Sequence, residues 1–200
     1  LILLASALLV SGCVVIAYFS VSKAARDGAF SGVKTPTELT PVATAPRAQE
    51  VTWVTNHTQT AALDVAWAMP EPDQLEGPRP MASLDATATY WIHGNGTGLR
   101  HDVAVIERHN AVAGEPKVDA TLVMDAVQPG TIMTDAIVMA DGTSWVNFGG
   151  LFDNRMYIGT VILSGTDAIV VSVGYLDEAD LSRAADDLLA MTEQLSVTPR

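Results

Sequence analysis

Three of the four histidines, His93, His101 and His109, recur at intervals of eight residues, which makes metal ligation the first chemistry to consider. A shared ion needs imidazole nitrogens about 2 Å from it, whereas His101 and His109 would stand about 26 Å apart along one extended strand. His93 and His101 could approach only across a hairpin, and the pairing derived below puts them on opposite faces. No HExxH and no Cys/His spacing is present, so neither a metal nor a cofactor is expected. Nucleophilic catalysis has no better support: there is no Gly-x-Ser-x-Gly elbow, and Ser144 and Ser164 fall in or beside turns. The glycine-rich run Gly94-Asn95-Gly96-Thr97-Gly98 leads into a strand and lacks the lysine of a P-loop. Asp177, Glu178, Asp180, Asp186 and Asp187 read as helix capping and a solvated helix face. No catalytic residue can be named, and the chain reads as more suited to binding than to catalysis.

The remaining candidate is a surface. Trp91, His93 and Arg100 would share the outer face of a hairpin, joined by Trp145, and tryptophan and arginine are enriched at binding hot spots. The opposing expectation is that a helix covers this face and Trp91 is core.

These side chains must be carried by elements the sequence marks in order. Val51 to Thr55 is a strand candidate, and Leu63, Val65, Trp67 and Met69 alternate with Asp64, Ala66 and Ala68 in the period of a half-buried strand. The proline-rich run from Pro70 to Pro80 reads as an exposed loop. Residues 86–93 and 99–107 flank Asn95-Gly96, a strong hairpin signal. With those two residues in the turn, Ile92 faces Leu99, Tyr90 faces His101, Ala88 faces Val103 and Ala86 faces Val105. A helix is expected over 118–127, with Val118, Leu122, Val123, Ala126 and Val127 at helical spacing. Two more hairpins follow, 132–140 with 143–148 around Asp141-Gly142, and 156–163 with 168–175 around Ser164 to Asp167. The last pair is apolar on both faces and belongs centrally in the sheet. Asp177 then caps a final helix with Leu181, Ala185, Leu188, Thr192 and Leu195 on one stripe. The fold class is α+β, an antiparallel sheet with two packed helices.

Ahead of this domain stand 22 residues without a charged side chain, Leu1 to Ser22. As a helix they would reach about 33 Å, enough for a hydrocarbon core of about 30 Å. Val10-Ser11-Gly12-Cys13 also resembles a bacterial lipobox, with Cys13 as the lipidated residue, so 1–22 is a transmembrane anchor or a lipoprotein signal. Residues 23–50 carry Pro36, Pro41 and Pro46 among Thr, Ala, Ser and Gly and form a flexible tether. Residues 51–200 form the folded domain. The chain carries a net charge of −12, concentrated in that domain, which argues against nucleic acid as a partner. Lys23, Arg26 and Lys34 follow the span and would draw the C-terminal side inward. The lipobox-like ending and the Pro/Thr spacer instead suit an exported domain, and an extracytoplasmic placement in a single-pass protein is expected.

In its order of elements, above all the final apolar hairpin followed by an amphipathic helix, the stretch 51–197 resembles the PsbP-like domains of actinobacterial surface lipoproteins of the LpqN type. The resemblance implies an anchored, extracytoplasmic domain without catalysis and transfers no functional residue. Three functions are compatible with these readings: a tethered binding or accessory domain for an envelope component, an envelope hydrolase, and a carrier of an amphiphilic ligand.

Overall fold

The computed structural model describes residues 52–94 and 98–200, which belong to the compact unit Thr52–Arg200. The expected anchor, Cys13 and the tether lie outside the described residues, as does the Asn95-Gly96 turn. Among the described residues no helix is long and apolar enough to cross a membrane.

The unit is α+β, with two helices packed on antiparallel sheets. The elements are β1 (Trp53–Gln59), β2 (Leu63–Pro70), β3 (Gln74–Met81), β4 (Ala86–His93), β5 (Arg100–Arg108), α1 (Pro116–Val127), β6 (Ile132–Met133), β7 (Ile137–Val138), β8 (Ser144–Phe152), β9 (Arg155–Ser164), β10 (Asp167–Tyr175), α2 (Leu181–Glu193) and β11 (Ser196–Pro199). A single 3-10 turn, Glu178–Asp180, leads into α2, and Asp177 caps that turn by accepting from Ala179 N at 2.9 Å. The large sheet runs in the order β3-β4-β5-β10-β9-β8-β6, with β7 also on β8, and the small sheet in the order β1-β2-β11.

Two apolar layers result because the central strands are buried on both faces. On one face, Val103, Val105, Ile162, Ile169, Val171 and Val173 pack with Leu63, Val65, Trp67 and Met69 of β2 and with Ala184 and Met191 of α2. On the other, Ala104, Ile106, Val161, Val170 and Phe148 pack with Ala120, Val123 and Met124 of α1. The alternation in β2 and the central placement of β9 and β10 are as the sequence indicates. At the ends of the strands, Thr60 Oγ1 donates to Asp167 Oδ2 at 2.6 Å and accepts from Leu63 N at 3.0 Å, tying the β1–β2 turn to the start of β10.

Four expectations are corrected. The proline-rich run contains a strand: β3 pairs with β4 and forms the sheet edge, with a register shift between Glu76 and Arg79 that absorbs Gly77-Pro78. An edge strand needs only half its amide hydrogens, so prolines are tolerated there. The β4–β5 pairing sets His93 opposite His101, Trp91 opposite Val103 and Tyr90 opposite Ala104, an odd shift from the expected register that exchanges the two faces. Strand β5 is apolar on both faces, so its pattern could not fix the register. In α1 the inward residues are Ala120, Val123 and Met124, while Val118 and Leu122 are exposed, because the helix turns Asp119 inward toward Arg108. The buried line of α2 runs through Ala184 and Met191, with Leu181, Ala185 and Leu188 beside it.

Candidate functional site

The residues expected to share one surface are divided between the two faces of the large sheet. Trp91 and His93 lie on the face that carries Val103, whereas Arg100 lies on the face that carries Ala104. Trp91 is half-buried and meets Trp67 edge-on, with ring centroids 4.6 Å apart. It is part of the packing under the small sheet. Trp145 packs against the same apolar layer, its Nε1 donating to Thr143 Oγ1 at 3.0 Å.

Arg100 instead borders a recess of about 290 Å³ between the sheet and the C-terminal end of α1. Its floor follows from strand pairing. Ile92, Asp102 and Ser172 form one cross-strand row, and Arg100, Gly174 and Tyr157 form the next. A Cβ at Gly174 would stand 2.7 Å from Tyr157 Cε1, so only glycine lets the phenol ring lie across β10. From the helix side come Ala126, Val127 and Gln128, and from the outer edge Glu76, Arg79, Tyr90 and Phe152.

Charge in the recess is paired. Arg100 Nε donates to Asp102 Oδ1 at 2.9 Å and Oδ2 at 3.0 Å, and Arg79 meets Glu76 at 2.9 Å while its guanidinium lies 4.5 Å above the Tyr90 ring. Burial raises the pKa of Asp102, and the attraction of Arg100 only partly offsets it. Burial works against the charge of Arg100, yet Asp102 outweighs it and the guanidinium pKa is raised. Burial, and next to it Asp102, push the Tyr157 phenol up to about 12.

Two polar atoms in this recess have no hydrogen-bond partner among the described residues: Ser172 Oγ and Gln128 Oε1. Their residues are 1% and 6% exposed, and buried polar atoms ordinarily find a partner. A bound group that donates to Gln128 and exchanges a hydrogen bond with Ser172 would complete both. His57, His93, His101 and His109 are absent from the lining of the recess. Sequence reasoning missed it because its floor combines one residue from each of several strands. The single local signal was the odd placement of Asp102 and Ser172 within apolar strands.

Tyr157 offers a direct check on this electrostatic picture. A phenol raised above its unfolded value of about 10 contributes stability that is present below pH 10 and lost as the pH rises towards 12. Ultraviolet titration of the folded protein should therefore show an ionisation near 12 that Tyr157→Phe removes. Ionisation of every tyrosine near 10 in the folded state would contradict the burial of this ring.

No protein-family model and no curated protein matches the sequence. Among solved structures, the chain is similar to the solution structure of cyanobacterial PsbP (CyanoP) from Synechocystis sp. PCC 6803, with a TM-score of 0.49 and 10% sequence identity, over 80% of this chain and 100% of that chain. The similarity concerns the course of the backbone and transfers no residue.

Proposed function

We propose that the chain is a membrane-tethered, extracytoplasmic binding domain, carried by the apolar segment 1–22 and the tether 23–50, whose ligand lodges in the recess beneath the end of α1. The observation that carries this reading is the pair of buried, unpartnered polar atoms, Ser172 Oγ and Gln128 Oε1, in one recess. The ligand is a small molecule with a polar end for those two atoms and an apolar part against Ile92, Ala104 and Val170. This favours the carrier of an amphiphilic ligand over recognition through Trp91, which is committed to packing. The anchored lipoprotein branch of the PsbP-like domains remains the resemblance that fits the sequence plan.

Ligand-observed NMR with a mixture of small amphiphiles should give saturation transfer from the wild type, reduced at least tenfold by Ala126→Phe, which narrows the recess. Equal transfer from both proteins would reject the recess. Membrane fractionation and protease accessibility on intact cells test the tether: a domain protected from external protease would reject the extracytoplasmic placement.

A further inference from the structure

We propose that His93 and His101 hold one late first-row divalent ion, such as Zn²⁺ or Cu²⁺, between Nε2 of His93 and Nδ1 of His101. The corrected register makes this possible, because the two residues stand directly opposite each other on adjacent strands and on one face. Their ring centroids are 5.8 Å apart at 54°. With nitrogen–metal bonds of about 2.0–2.1 Å, two imidazoles on a common ion have ring centres roughly 5–6.5 Å apart.

The hydrogen bonds decide which nitrogens are available. His93 Nδ1 lies 2.6 Å from the Glu71 carbonyl oxygen, which can only accept, so this nitrogen carries the proton and Nε2 is a bare lone pair. His101 Nε2 lies 2.8 Å from Asp187 Oδ2, and the carboxylate likewise fixes the proton there. In the neutral ring His101 Nδ1 is left as a lone pair, buried and without a partner among the described residues, on a residue 2% exposed. An imidazole whose other nitrogen donates to a carboxylate or a backbone carbonyl is the usual form of a metal-ligating histidine. Both rings have that form, and they are neighbours.

His93 is half-exposed and gives the ion its entry, while Asp187 on α2 adds a negative charge behind the inner ligand. The described residues hold no set of three or more His, Cys, Asp or Glu ligands, so water completes the shell and the site is open. This site is on the opposite face of the large sheet from the recess, and it stands or falls independently of it.

The test uses the full chain without an affinity tag, titrated with Zn²⁺ alone by calorimetry and with Cu²⁺ alone by electron paramagnetic resonance. One ion per chain is expected, with nitrogen couplings in the Cu²⁺ spectrum. His93→Gln should weaken Zn²⁺ binding at least tenfold and remove a nitrogen coupling, with His109→Gln as the unaffected control. His101→Gln also breaks the bond to Asp187, so its result is read only alongside a folded circular-dichroism spectrum. Unchanged Zn²⁺ affinity in His93→Gln, or Cu²⁺ binding without nitrogen couplings, would overturn the proposal.

Discussion

Trp67→Ala should lower the unfolding free energy by about 3–5 kcal/mol, measured as the shift of the urea midpoint at constant slope. Trp67 is fully buried and sits where the small sheet, the large sheet and α2 meet, with its ring edge-on to Trp91. The loss combines removed apolar area with a cavity that three elements cannot all close. Trp67→Phe should cost much less, under about 1.5 kcal/mol. The indole Nε1 is buried without a partner among the described residues, so removing it relieves an unsatisfied donor while the smaller ring still fills most of the space. Equal losses in the two variants would show that the indole nitrogen, rather than packing, carries the effect.

A comparable effect is expected at Arg108. This residue is 6% exposed, its Nε donates to the Thr166 carbonyl oxygen, and its Nη2 lies 3.5 Å from Asp119 Oδ2. Asp119 also accepts from Gly114 N at 2.9 Å, so one ion pair joins the β9–β10 turn, the end of β5 and the start of α1. Arg108→Ala leaves the Asp119 carboxylate buried beside no cation, and a loss of about 3–5 kcal/mol follows. The double variant Arg108→Met, Asp119→Leu should regain at least half of that loss, because an apolar pair has no charge to desolvate. A double variant no better than the single one would mean that the backbone contacts of the two residues matter more than their charges.

Much of the plan was legible in the sequence because the strongest signals are local. The alternation of Leu63, Val65, Trp67 and Met69 needs only a half-buried strand to explain it, and the two-faced apolar strands 156–163 and 168–175 could lie only at the centre of a sheet. The β4–β5 register was not legible, because Val103 and Val105 on one face and Ala104 and Ile106 on the other are all buried. When both faces are apolar, an odd slip leaves the hydrophobic pattern almost unchanged. That single slip carried the site with it. It placed Trp91 beside Arg100, and it separated His93 from His101. The recess was invisible for a related reason: Asp102, Ser172, Tyr157 and Gln128 come from three strands and a helix end, with no shared spacing. Strand β3 was hidden by its prolines, and β11 by its shortness.

The small sheet also governs how the protein can be made. Its middle strand, β2, is flanked by β1 and β11, with Val65 opposite Val197 and Arg200 N donating to the Ala62 carbonyl oxygen at 2.9 Å. The unit therefore cannot complete its second sheet until residue 199 has been synthesised. Until then one edge of β2 stays open, with its apolar side awaiting α2 as well. Completion of the small sheet waits on β11, and contacts between distant parts of a chain form slowly.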